Sequence, residues 1–143
     1  LVKLLEAVIE PHQSPIFNID LFYIDKKHTG PLIVPLKIEL IKRLLTNLIV
    51  NSKVSGTCVH ISVAQKERFL QLFVDDNGAG IPLSERENVF KPFYRLDTAR
   101  HMQSGNVGLG LSIVRDAMRS HGGQVFIEDS LLGGIRVVLN LPV

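Results

Sequence analysis

Phe69-Leu70-Gln71-Leu72-Phe73-Val74 alternates apolar and less apolar positions and then breaks into Asp75-Asp76-Asn77-Gly78-Ala79-Gly80-Ile81-Pro82. The first part has the period of a half-buried strand, with Leu70, Leu72 and Val74 sharing one face. The second, residues 75–82, has the composition of a loop leaving a strand. Just upstream, residues 58–65 form a second β-prone run, joined to the first through Lys66-Glu67-Arg68, so the two read as a hairpin. Before that hairpin, Leu40, Ile41, Leu44, Leu45, Leu48 and Ile49 recur at three- and four-residue steps. This is the strongest helical pattern in the chain, spanning about residues 36–54 and ended by Ser55-Gly56.

Outward from this centre, residues 1–10 have helical spacing and stop at Pro11, and residues 16–24 alternate as a strand. A turn at His28-Thr29-Gly30-Pro31 leads to a short strand at 32–35. Downstream, a short polar helix is expected from Ser84, then a stretch without period at 94–107. A helix from about 108 to 121 is stopped by Gly122-Gly123, and 124–129 with 134–141 closes the chain as another hairpin. Helices intersperse with hairpins and regular βαβ alternation is missing. The spacing therefore predicts an α+β two-layer sandwich, a mixed and mostly antiparallel sheet covered on one face by helices.

Composition bounds the rest. The 143 residues suit one domain, and 45% hydrophobic with 21% charged residues excludes a disordered tail. A net charge of +2 gives no support to nucleic-acid binding. One cysteine, Cys58, excludes a disulfide framework, and no apolar run is long enough to span a bilayer. The first residue is Leu, so the chain reads as part of something longer.

Four patterns carry chemistry. Asn47 and Asn51 lie four apart on the long helix and share a face, and an amide oxygen is a hard neutral donor suited to Mg²⁺. Asp76 stands where a strand runs into a glycine loop. A buried carboxylate there would accept from an exocyclic amine such as that of adenine, while Gly78 and Gly80 let backbone approach a ring. Gly105-Asn106-Val107-Gly108-Leu109-Gly110-Leu111 runs into a helix, where free backbone N–H groups suit polyphosphate. It is neither a Walker loop nor the opening of a βαβ unit. Phe90-Lys91-Pro92-Phe93-Tyr94-Arg95 adds two aromatics as a hinge, with Lys91 or Arg95 in reach of phosphate. Each pattern alone also suits an ordinary loop, core or solvated face.

Their order changes this. N-x-x-x-N, D-x-G-x-G, F-x-P-F and G-L-G-L follow one another over the chain in a sequence that resembles the N, G1, F and G2 boxes of the sensor histidine kinase ATP-binding domain. That domain belongs to the gyrase, heat-shock chaperone, histidine kinase and mismatch-repair ATPase superfamily. The segment PFYRLDTAR…GLGLSIV resembles the osmosensor type in particular.

The resemblance implies a Bergerat-type sandwich over residues 11–143, with residues 1–10 trailing from a separate dimerisation domain. It implies ATP and Mg²⁺ as cofactors. Asn51 would ligate the metal with help from Asn47, and Asp76 would hold the adenine amine in a pocket shaped by Gly78, Gly80 and Ile81. Lys53, Lys91 and Arg95 would supply positive charge. Phe90 and Phe93 would anchor a lid at about 94–107, with Gly105, Val107, Gly108, Leu109, Gly110 and Leu111 closing on the triphosphate. Asn47, Asn51 and Arg95 would be the residues closest to catalysis.

The activity implied is transfer of the γ-phosphoryl to a histidine on the dimerisation domain, then to a response regulator. The parent would be a dimeric bacterial membrane sensor with this domain in the cytoplasm. His12, His28, His60, His101 and His121 lack the acceptor motif and read as structural. Superfamily members that hydrolyse ATP or phosphorylate serine place Glu where this chain has Asn47, which argues against those activities. Ser52-Lys53-Val54-Ser55 departs from the usual residues after the metal asparagine, and Asn106 from the usual glycine. A nucleotide-binding scaffold with little transfer activity is the alternative these departures imply.

Overall fold

The computed structural model describes residues 1–23, 35–95 and 110–143. Helix α1 (Val2–Ile9) runs into a 3₁₀ turn at Glu10–His12, followed by β1 (Asn18–Tyr23). Helix α2 (Ile38–Lys53) leads to the hairpin β2 (Cys58–Lys66) and β3 (Phe69–Asp76). Two 3₁₀ turns follow at Leu83–Glu85 and Asn88–Phe90. Helix α3 (Gly110–Ser120) and the hairpin β4 (Gln124–Asp129) and β5 (Ile135–Pro142) complete the described chain.

The five strands form one sheet in the order β1-β2-β3-β5-β4. Only β1 and β2 are parallel; the other neighbours are antiparallel. Alternation divides the sheet into two faces. Val59, Ile61 and Val63 of β2, Leu70, Leu72 and Val74 of β3, and Val137, Leu139 and Leu141 of β5 are buried in one cluster. They meet Ile41, Leu44, Leu45, Leu48 and Ile49 of α2, Val114, Ala117 and Met118 of α3, and Leu5, Val8 and Ile9 of α1. Each fully buried leucine or isoleucine contributes about 1.5–3 kcal/mol. The α+β sandwich expected from the order of patterns is the fold observed.

The other face carries a polar row in register across the five described strands: Asp20, His60, Asp75, Arg136 and Glu128. Helix α3 ends as Gly122-Gly123 predicted. Gly122 has φ 69°, its N–H bonds the Arg119 carbonyl at 3.0 Å, and the Gly123 N–H bonds the Met118 carbonyl at 2.8 Å.

Two local expectations change. Strand β3 extends through Asp75 and Asp76, which the composition placed in a loop, because both carboxylates find partners far along the chain. The polar helix from Ser84 is instead two 3₁₀ turns, entered from Pro82, too short to propagate an α-helix. The expected turn at 28–31 and most of the strand at 32–35 lie outside the described residues, as does most of the 94–107 stretch.

Candidate functional site

The ends of α2 and β3 and the start of α3 converge on one corner. Asp76 is the last residue of β3, and its side chain points to the helical face, as do Leu72 and Val74. Asp76 Oδ1 accepts from the backbone N–H of Gly78 at 3.0 Å and of Ile135 at 3.1 Å. The Ser52 hydroxyl on α2 reaches Asp76 Oδ2 at 3.2 Å and the Leu48 carbonyl at 2.9 Å, and its single proton serves one acceptor at a time. One carboxylate oxygen is thus saturated by the fold. The other retains capacity for an incoming donor.

The loop after β3 is strapped to the α2–β2 connection. Asn77 Oδ1 accepts from the N–H groups of Thr57 at 2.8 Å and Cys58 at 3.1 Å, while its Nδ2 donates to Thr57 Oγ1 at 2.8 Å. Ser55 Oγ accepts from the Ala79 N–H at 2.9 Å. Gly80 follows with φ 78°, and Ile81 packs partly buried against the core.

Asn51 meets Gly110, the first residue of α3. A Cβ on Gly110 would lie 2.9 Å from Asn51 Nδ2 and 3.1 Å from Oδ1, so only glycine permits this approach. One turn earlier, Asn47 Nδ2 is buried without a hydrogen-bond partner. A buried donor left unpaired costs about 1–3 kcal/mol, which a ligand oxygen reaching it would offset. Leu111 packs partly buried behind Gly110.

The remaining expected residues separate. Lys53 lies two positions after Asn51, roughly 160° away around the helix. Its ammonium sits 5.0 Å from the Phe17 ring centre and 3.4 Å from His12 Nδ1. The structure does not bring it to Asn51. Phe90 is 4% exposed and part of the core, whereas Phe93 is 72% exposed with φ 62°, so the two aromatics do not pack as a pair. Lys91 is exposed and bonds Asn88 Oδ1 at 2.9 Å, and Arg95 is half-buried. Gly105, Val107, Gly108 and Leu109 lie outside the described residues.

Sequence reading missed the residues that hold this corner. Arg115 of α3 stacks its guanidinium 4.2 Å from the Phe90 ring centre and pairs with Glu87 at 2.7 Å, which holds the Glu87 carboxyl below its ordinary range. Arg86 donates to the Ile81 carbonyl at 3.1 Å and pairs with Asp129, and Tyr94 bonds Glu85. Gly134 was also missed. A Cβ there would overlap Asp76 Oδ1 and lie 2.7 Å from the Gly78 nitrogen. No short motif marks these residues, and the partners of Arg115, Gly134 and the Arg86–Asp129 pair lie 25 residues or more away in sequence. Of the histidines, His121 accepts from the Lys37 N–H at 2.9 Å at the start of α2, a structural role as expected.

The corner thus sets a strand-end carboxylate under a glycine loop, joined through Ser52 to the helix that carries Asn47 and Asn51. Residues 36–143 match the family described as histidine kinase-, DNA gyrase B- and HSP90-like ATPases, and the chain belongs to that family. Within it, the chain is homologous to the catalytic ATP-binding domains of sensor histidine kinases. It is 43% identical over 99 residues to the sensor histidine kinase CpxA of Escherichia coli K12, covering 68% of this chain and 22% of CpxA.

Two solved structures have the same fold. The ATP-binding domain of PrrB from Mycobacterium tuberculosis superposes with a TM-score of 0.76 at 28% identity, covering 98% of this chain and 91% of that one. The histidine kinase domain of the E. coli osmosensor EnvZ superposes at 0.71 with 30% identity, covering 98% and 84%. The chain therefore spans less than a quarter of CpxA's length. No described helix is long and apolar enough to cross a membrane.

The donor set can be tested against Mg²⁺. Among the described residues, no group of three His, Cys, Asp or Glu side chains could form a metal cage. Mg²⁺ in nucleotide sites needs none: it keeps water and phosphate oxygens and takes one or two protein oxygens. The Asn51 amide, held against Gly110, fits that requirement.

Proposed function

We propose that this domain binds ATP with Mg²⁺ and presents the γ-phosphoryl to a histidine on a separate dimerisation domain, from which it passes to a response regulator aspartate. The observation that carries this reading is Asp76, a buried carboxylate with one oxygen saturated by backbone and the other able to accept from an adenine amine. Asn51 would supply an oxygen to the metal, and Asn47 would donate its unpaired N–H to a phosphate oxygen. When bound, Mg²⁺ would neutralise phosphate charge. The domain contributes position and charge stabilisation, with no covalent step on its own side chains.

The uncharged Asn47 supports a histidine acceptor over water or serine. A neutral imidazole is already nucleophilic, while a hydroxyl is helped by a carboxylate base at such a position. In this reading α1 continues from the dimerisation domain, and the parent is a dimeric membrane sensor. The direction of Lys53, away from Asn51, favours a second reading in which the domain binds nucleotide with little transfer.

Calorimetry with a non-hydrolysable ATP analogue and Mg²⁺ tests the first step. Undetectable binding at millimolar nucleotide would sink both readings. Labelled ATP incubated with this domain and a purified dimerisation domain separates them: acid-labile phosphohistidine supports transfer, and binding without it supports the second.

A further inference from the structure

Asp75 and Asp76 are neighbours on β3, and both grip the turn at 130–134 from opposite faces of the sheet. On the helical face, the Gly134 N–H bonds the Asp76 carbonyl at 3.0 Å and the Ile135 N–H bonds Asp76 Oδ1 at 3.1 Å. On the opposite face, Asp75 Oδ1 accepts from the Ser130 hydroxyl at 2.8 Å and from Arg136 Nε at 2.9 Å. Asp75 is only 4% exposed, and its Oδ1 ties the turn to the start of β5.

The turn is closed internally as well. Ser130 N–H bonds the Gly134 carbonyl at 3.0 Å, Gly133 N–H bonds the Ser130 carbonyl at 3.1 Å, and Leu132 N–H bonds Ser130 Oγ at 3.1 Å. The Arg136 guanidinium is braced 5.0 Å from the Phe73 ring centre, one residue pair along the same face.

We propose that Asp75, Ser130 and Arg136 are positioning residues for base selection: they hold the turn and the start of β5 so that the Ile135 N–H, beside that of Gly78, occupies Asp76 Oδ1 and leaves Oδ2 to accept from a 6-amino purine. This rests on the reading of Asp76 as the base-recognising carboxylate. A carboxylate with both oxygens loosely paired rotates and accepts weakly from many partners. One pinned through a buried network presents a single acceptor in a fixed direction. A site that hydrogen-bonds an N–H rejects an analogue lacking it only while its acceptor is held in place. The three residues touch no nucleotide and act through Gly134 and Ile135.

The test compares the affinity of this protein for ATP and for inosine triphosphate, which has a 6-oxo group in place of the amine. It uses the unaltered chain, Ser130→Ala, Arg136→Met and Arg136→Lys, with thermal unfolding alongside. The unaltered chain should prefer ATP by about 100-fold. Ser130→Ala and Arg136→Met should lower that preference about tenfold, mainly by weakening ATP, and Arg136→Lys should restore part of it.

Equal weakening of both nucleotides, with the preference intact, would show a general structural role and overturn the proposal. If the unaltered chain shows no preference, the Asp76 reading fails first and the proposal with it. Ser130→Ala removes one hydroxyl from a surface turn and keeps the comparison decisive should an Arg136 variant misfold.

Discussion

The Lys53 ammonium lies 3.4 Å from His12 Nδ1, so the cation nearest Asn51 in sequence serves the junction between the 3₁₀ turn and α2. A neutral imidazole accepts from the ammonium, and the aromatic face of Phe17 completes the seat. Lys53→Met should therefore leave nucleotide affinity within about twofold while lowering stability by about 0.5–1 kcal/mol. Asn51→Ala should abolish measurable binding. Calorimetry and denaturant unfolding on both variants check this contrast.

The same junction makes stability depend on pH. Burial, and then the Lys53 charge, hold the His12 pKa below its ordinary 6.5. The unfolded chain then binds more protons than the folded one between the folded pKa and 6.5, so stability is full above 6.5 and falls as pH drops through that window. Unfolding free energies from about pH 7.5 down to 5 should show the decline, and His12→Gln should flatten it. A steeper decline in His12→Gln would contradict the assignment.

Gly110→Ala places a methyl group 2.9 Å from the Asn51 amide. Alanine also favours the helix that begins there, so the fold should lose little stability or even gain. Nucleotide affinity should nevertheless fall about tenfold or more, because a displacement of a few tenths of an ångström separates Asn51 from its ligand. Parallel thermal unfolding and nucleotide titration read the two effects apart.

Gly134→Ala should behave in the opposite way. Its Cβ would overlap Asp76 Oδ1 and crowd the Asp76 carbonyl oxygen at 2.6 Å, both part of the sheet's own bonding. Overpacking of this kind costs about 1–3 kcal/mol, so both stability and binding should drop together. A variant with wild-type stability and wild-type affinity would show that the turn relaxes freely.

The architecture was legible because it rests on period. Leu40 to Ile49 could only be a helix with one buried stripe, and Leu70, Leu72 and Val74 could only share a sheet face. Asn51 and Asp76 could be singled out because short motifs surround them, and the fold brings their elements to one corner. Asp75 was misplaced in a loop since its partners, Ser130 and Arg136, lie 55 and 61 residues later. The resemblance put the positive charge of Lys53 at the phosphates, whereas two helical steps turn its side chain to the far side from Asn51. The separation of Phe90 from Phe93 depends on a positive φ at Phe93, which no residue preference announces.

Two identical acids stand side by side on β3, one facing the helices and one facing away. A one-residue slip of this strand in one direction would bring Asp75 to the place of Asp76 and still leave a carboxylate facing the helices. Chemical identity at that position therefore cannot enforce the register. Leu70, Leu72 and Val74 enforce it, since the same slip would turn all three out of the core. Which aspartate faces the helices and which faces away is decided by three aliphatic side chains two, four and six residues upstream of Asp76.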